Sequence, residues 1–282
     1  MAERIERLDE VSSRYDVILC DVWGVLHNGV DAFPHASVAL SSARKAGLSV
    51  ILITNSPRPG ESVRHQLDLI GVTGDAYDAI VSSGDVTRKL IAEGPKSIFF
   101  LGPDRDMNLL DGTGARPVEE ENAEAIICTG FFDDEVETPE THSALLKRLA
   151  DRGLPLICAN PDLVVERGER LIPCAGAVAA YYETLGGKTR IAGKPHAPIY
   201  AAALELAQAK RGPVADDRVL AIGDGMPTDV KGALDRGLDL LYISAGIHAR
   251  DYMLGGMTDE AALSRFLESH DADPRYWMPR LA

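Results

Sequence analysis

Val219-Leu220-Ala221-Ile222-Gly223-Asp224-Gly225-Met226-Pro227-Thr228-Asp229 decides the fold. A short run that is apolar at every position stops at a glycine–aspartate pair. Strand side chains alternate between faces, so a run without a polar position suits a strand buried on both faces. Parallel sheets covered by helices are built that way. The same signature recurs elsewhere. Val17-Ile18-Leu19-Cys20 stops at Asp21, Val50-Ile51-Leu52-Ile53 stops at Thr54-Asn55-Ser56, and Leu240-Leu241-Tyr242-Ile243 is a fourth run. Helix-like stretches lie between them, such as Ala36 to Ala46, closed by Gly47. Alternating strands and helices predict an open α/β fold, with a Rossmann-like parallel sheet and helices on both faces.

The middle of the chain carries a second set of elements. Candidate strands are Ser97 to Leu101, Ala125 to Cys128 and Leu156 to Cys158. A helix is expected after Thr138-Pro139, through Leu145, Leu146 and Leu149 to Gly153. The main sheet is thus interrupted, which predicts a discontinuous core, 1–83 with 188–282, and an inserted α/β cap domain at 84–187. Glycines near the two crossings, Gly84 and Gly187, are compatible with a hinge.

The 282 residues carry 29 basic and 43 acidic side chains, a formal net charge of −14. That balance argues against a general nucleic-acid or membrane-surface binder. No apolar run reaches the length of a bilayer span, and Met1-Ala2-Glu3-Arg4 lacks the pattern of an export signal. A cytoplasmic location is the expectation. Cys20, Cys128, Cys158 and Cys174 lack metal-ligand spacing and read as buried, reduced thiols.

Polar groups collect just past the carboxyl ends of the expected strands, where open α/β sheets bind ligands. They are Asp21, Thr54, Asn55, Asp224 and Asp229, joined by Lys194 in Gly193-Lys194-Pro195. Each alone reads as a turn, a cap or a solvated charge. Together they suit phosphoryl transfer. Paired carboxylates hold a hard cation such as Mg2+, a carboxylate can attack phosphorus, and a lysine and a hydroxyl can hold the phosphoryl oxygens. Gly187-Lys188-Thr189 is no nucleotide loop, because the glycine that pattern requires is Tyr182. Asp133-Asp134-Glu135 reads as a solvated loop, and His27 as a surface or turn residue.

Four ordered motifs resemble those of the haloacid dehalogenase superfamily, and within it the NagD-like class IIA phosphatases with a large inserted cap. They are Asp21-Val22-Trp23-Gly24-Val25-Leu26, Leu52-Ile53-Thr54-Asn55-Ser56, Gly193-Lys194-Pro195 and the Gly223–Asp229 stretch. Asn160-Pro161-Asp162 matches a motif of such caps. The resemblance implies a phosphatase acting on a small phosphorylated metabolite through an aspartyl-phosphate at Asp21. It implies Mg2+ held by Asp21, Asp224 and the backbone carbonyl of Trp23. Thr54, backed by Asn55, would hold a phosphoryl oxygen. Lys194 would neutralise charge, and Asp229 would orient Lys194 or a metal-bound water. Caps of this kind often carry a dimer contact, so a homodimer is a possible arrangement.

One position departs from the pattern. The residue two after the nucleophile is usually a second aspartate, which moves protons to and from the leaving group. Here it is Trp23, whose indole N–H only donates. His27 and the cap acids Asp133, Asp134 and Asp162 are the groups that could stand in. Trp23 also opens two other readings, a phosphate- and Mg2+-binding module with negligible turnover and a carbon-centred hydrolase such as a dehalogenase.

Overall fold

The computed structural model describes residues 2–167 and 170–282. Seven strands form the main sheet among these residues. From edge to edge they are Glu3–Arg4, Tyr276–Met278, Asp239–Ile243, Val219–Gly223, Val17–Cys20, Ser49–Thr54 and Ala79–Ser82. Every neighbouring pair is parallel. The expected runs are strands, and their uniform apolarity has a plain cause. Ile18, Val50 and Leu52 pack under the helices Pro34–Lys45 and Gly60–Ile70, against Leu40, Val63 and Leu67. The alternate residues Leu19, Ile51 and Ala221 pack under Ala197–Arg211 and Glu260–Ser269 on the other face. Neither face meets water, so neither tolerates a polar position.

A second sheet runs Lys188–Ile191, Pro155–Cys158, Ala125–Cys128, Ser97–Leu101 and Arg116–Pro117, again all parallel. Helices Ser143–Asp151 and Ala175–Thr184 cover one face through Leu146, Leu149 and Tyr182. Ile91, Leu109 and Leu110 cover the other. The expected helix after Pro139 begins as a turn of 3-10 helix at Pro139–His142 and becomes α-helical at Ser143. Gly153 follows it with φ +71°, the left-handed conformation that closes helices.

Both expected crossings shift. Lys188–Ile191 does not belong with the main sheet; it pairs with Pro155–Cys158, so the second sheet extends to Ile191. Helix Ser83–Glu93 serves both units, with Val86 packed in the main-sheet core and Ile91 in the second. The two glycines also have a packing reason. A Cβ at Gly84 would stand 2.2 Å from the Pro57 carbonyl oxygen, and one at Gly187 would stand 2.2 Å from the Tyr182 ring. Close packing is sufficient reason for glycine at both places.

The parallel register sets the site. Ile222 lies opposite Cys20, and Cys20 opposite Leu52. The residues that follow these strands therefore emerge together at one rim.

Candidate active site

Asp21, Thr54, Asn55, Lys194, Asp224 and Asp229 are all buried at that rim. The Lys194 ammonium is the centre. Its Nζ donates to Asp21 Oδ1 and, at 2.8 Å, to Asp229 Oδ1. The other Asp229 oxygen accepts from the Gly225 backbone N–H at 3.1 Å, so both oxygens are engaged within the chain. Asp229 sits in one turn of π-helix, Met226–Val230, which aims its carboxylate back over the strand end. Gly223 leaves room for it, since a Cβ there would lie 2.3 Å from the Asp229 carboxyl carbon.

Asp224 is seated between two glycines. A Cβ at Gly24 or Gly246 would come within 2.2 or 2.0 Å of its Oδ2. That oxygen accepts from the Ile247 N–H at 2.7 Å. Oxygens of Asp21, Asp224 and Asp229 lie within 4.8 Å of one another. Three carboxylates face one ammonium, an excess of two negative charges. Burial, with Asp229 adding to it, pushes the Asp21 carboxyl well above its usual range. The same causes raise Asp224 to about 7. Burial pulls the Lys194 ammonium down, but Asp21, Asp229 and Asp162 outweigh it and leave its pKa raised. An oxygen cluster short of two positive charges fits a divalent hard cation.

Asn55 organises the loop after Ser49–Thr54. Its Oδ1 accepts the Lys194 N–H at 2.7 Å. Its Nδ2 donates to the Lys194 carbonyl at 3.2 Å and to Asp162 Oδ1 at 2.8 Å. Thr54 Oγ1 accepts the Ser56 N–H at 3.2 Å, which leaves its hydroxyl hydrogen for another acceptor.

Trp23 is half-buried and lines the cavity above Asp21. Its ring meets His27 edge-on, with centroids 5.0 Å apart. It also covers Gly29, where a Cβ would stand 2.4 Å from the ring. His27 is not the surface residue expected. It is 2% exposed, its Nδ1 accepts the Gly29 N–H at 2.8 Å, and burial lowers its pKa to about 4.

The cavity measures about 480 Å3 and lies between the two sheets' units. Its far wall holds contacts that local sequence did not reveal. Arg58 Nε donates to Asp106 Oδ1 at 3.3 Å. Asp134 takes Arg105 at 2.6 Å and Arg167 at 2.8 Å, and chiefly the Arg167 hydrogen bond holds its carboxyl down at about 2. Asp134 is therefore a fixed ion-pair acceptor and not a solvated loop residue. Phe131 is core, Phe132 is exposed, and the four cysteines are buried and free. Among the described residues no helix is long and apolar enough to cross a membrane.

A parallel sheet with a buried carboxylate–lysine cluster at its carboxyl rim defines an α/β enzyme. The family model for haloacid dehalogenase-like hydrolases matches residues 18–116, and one for HAD-hydrolase-like proteins matches 191–269. A solved haloacid dehalogenase-like hydrolase from Brucella suis 1330 is 53% identical, with a TM-score of 0.89 over 99% of this chain and 100% of that one. D-glycerol 3-phosphate phosphatase of Mycobacterium tuberculosis is 28% identical over 86% of this chain and 66% of its own length. Ribonucleotide monophosphatase NagD of Escherichia coli K12 is 27% identical over 83% of this chain and 89% of its own. The chain belongs to the haloacid dehalogenase-like hydrolases, in their NagD-like, phosphatase-type branch.

Proposed function

We propose that the chain is a Mg2+-dependent phosphatase that hydrolyses a small phosphorylated metabolite through an aspartyl-phosphate on Asp21. The carrying observation is Lys194 Nζ bridging Asp21 and Asp229 at the floor of the cavity. A cation fixed on the attacking carboxylate is placed to meet the charge that spreads over the phosphoryl oxygens. Relatives named as phosphatases of glycerol phosphate and ribonucleotides support the reaction class.

Each residue has a role in this reading. Asp21 attacks phosphorus. Thr54 donates its hydroxyl hydrogen to a phosphoryl oxygen. Lys194 holds a second oxygen, Asp229 fixes the ammonium, and Asn55 fixes the Lys194 backbone. Asp21, Asp224 and the Trp23 carbonyl would hold Mg2+. When bound, the ion supplies the two positive charges the carboxylate cluster lacks and draws charge from the phosphoryl group. The unit on the second sheet acts as a cap that closes the cavity and excludes water.

Trp23 favours a second reading, a phosphate- and Mg2+-binding module that turns over negligibly. A carbon-centred hydrolase fits less well, because it leaves the triple carboxylate cluster without a purpose. The discriminating experiment is release of p-nitrophenolate from p-nitrophenyl phosphate, with Mg2+ and with a chelator, in wild type and Asp21→Asn. The phosphatase reading expects Mg2+-dependent release that Asp21→Asn abolishes. No release from folded, metal-loaded protein favours the binding module.

A further inference from the structure

An alkyl or sugar alkoxide leaves phosphorus poorly unless it is protonated as the bond breaks. Trp23, two residues after Asp21, carries an indole N–H that donates hydrogen bonds but does not ionise near neutral pH, so it cannot supply that proton. Of the other acids on the cavity wall, two are already committed. Asp134 is held as an anion by Arg105 and Arg167, and Asp106 is tied to Arg58. The histidines are occupied as acceptors. His27 Nδ1 takes the Gly29 N–H, and His248 Nε2 takes the Met226 N–H at 3.2 Å.

Asp162 differs from all of these. It lines the same cavity as Asp21 but comes from the second unit, in the loop after Pro155–Cys158. That loop is clamped onto the catalytic rim. Pro161 Cγ lies 2.8 Å from where a Cβ on Gly193 would stand, next to Lys194. Asp162 Oδ1 shares the Asn55 Nδ2 donor with the Lys194 carbonyl. Its second oxygen has no protein partner among the described residues. Among the described residues no cation forms an ion pair with it, and Lys194 acts on it only at a distance. Burial raises its pKa against the opposing pull of Lys194 and the Asn55 hydrogen bond, which favours the protonated form a donor requires.

We propose that Asp162, through Oδ2, is the proton donor to the leaving oxygen and the later acceptor from water, the role Trp23 cannot fill. This rests on the phosphatase reading above. In the first step the Asp21 oxygen–phosphorus bond forms and the phosphorus–leaving-oxygen bond breaks. The Asp162 proton passes to that oxygen, which departs as a neutral alcohol. In the second step water attacks phosphorus, the bond to Asp21 breaks, and the water proton returns to the Asp162 carboxylate. Phosphate leaves and both carboxyls are restored.

The test compares p-nitrophenyl phosphate with phenyl phosphate, which has nearly the same shape but a more basic leaving oxygen. Wild type, Asp162→Asn and Asp21→Asn are assayed with Mg2+. Asparagine keeps an oxygen to accept from Asn55 and removes the proton. Asp162→Asn is expected to lower kcat/KM for phenyl phosphate by about 10²- to 10⁴-fold. For p-nitrophenyl phosphate its kcat/KM falls less than about tenfold, and a burst near one equivalent per site precedes slow turnover. Equal losses on both esters, or a burst lost with turnover, would overturn the assignment and leave Asp162 as a support for Asn55. Asp162→Ser gives the same comparison if the asparagine variant melts early. Wild-type release that survives Asp21→Asn, or is absent on both esters, contradicts the phosphatase reading itself.

Discussion

Asn55 and Lys194 are joined by two hydrogen bonds, from the Lys194 N–H to Asn55 Oδ1 at 2.7 Å and from Asn55 Nδ2 to the Lys194 carbonyl at 3.2 Å. One carboxamide thus satisfies both backbone groups of the residue whose ammonium bridges Asp21 and Asp229. The two loops are 139 positions apart in sequence, and this pair locks them together.

Asn55→Ala leaves the Lys194 N–H and carbonyl buried and unpaired. Each unmet group costs about 1–3 kcal/mol. A fall in melting temperature is expected together with a loss of p-nitrophenyl phosphate turnover. Asn55→Asp is expected to be worse for activity, because its carboxylate faces both the Lys194 carbonyl and Asp162. Wild-type kinetics in the alanine variant would mean that Lys194 is held without Asn55.

Gly246→Ala tests the seat of Asp224. The added methyl would stand 2.0 Å from Asp224 Oδ2, the oxygen that accepts from Ile247. The carboxylate has to move, so Mg2+ affinity by calorimetry is expected to fall at least tenfold with the circular dichroism spectrum retained. Unchanged affinity would show that Asp224 is no ligand.

Trp23→Asp places a carboxyl group two residues after the nucleophile. Turnover of phenyl phosphate is expected to rise, and to rise further in the Asp162→Asn background, where no other donor remains. A folded, Mg2+-binding variant with no gain in either background would favour the binding-module reading.

Asp134 makes stability depend on pH. Its folded pKa of about 2 lies below the unfolded value near 3.9. Its contribution is therefore complete above about pH 4 and is lost as pH falls towards 2. Arg105 is 49% exposed and Arg167 35%, which limits the contribution to about 1 kcal/mol. Melting curves of wild type and Asp134→Asn are expected to differ near pH 6 and converge near pH 2. A constant offset across that range would contradict the ion-pair account.

The sequence carried the main sheet openly. Val17–Cys20 and Val219–Gly223 are apolar at every position but the closing glycine because both their faces are covered, and the polar residue that ends each run marks the rim. Lys188–Ile191 was not legible as part of the second sheet. Its residues, Lys-Thr-Arg-Ile, are mostly polar, and its place comes from pairing with a strand more than thirty positions earlier. The Asp134 ion pairs and the Asn55–Asp162 hydrogen bond were hidden for the same reason, since neither leaves a local pattern. The packing reason for Gly84 and Gly187 was hidden because sequence does not show what a missing side chain would strike.

Covalent attack by Asp21 leaves a phosphoryl group on that side chain during turnover. The most direct measurement is the mass of the Asp21-containing peptide after p-nitrophenyl phosphate is mixed with Mg2+-loaded protein and quenched in acid within the first turnover. A phosphoryl adduct is expected on that peptide, absent in Asp21→Asn and longer-lived in Asp162→Asn. Steady hydrolysis with an unmodified Asp21 peptide at every quench time would contradict it and point to direct attack by water.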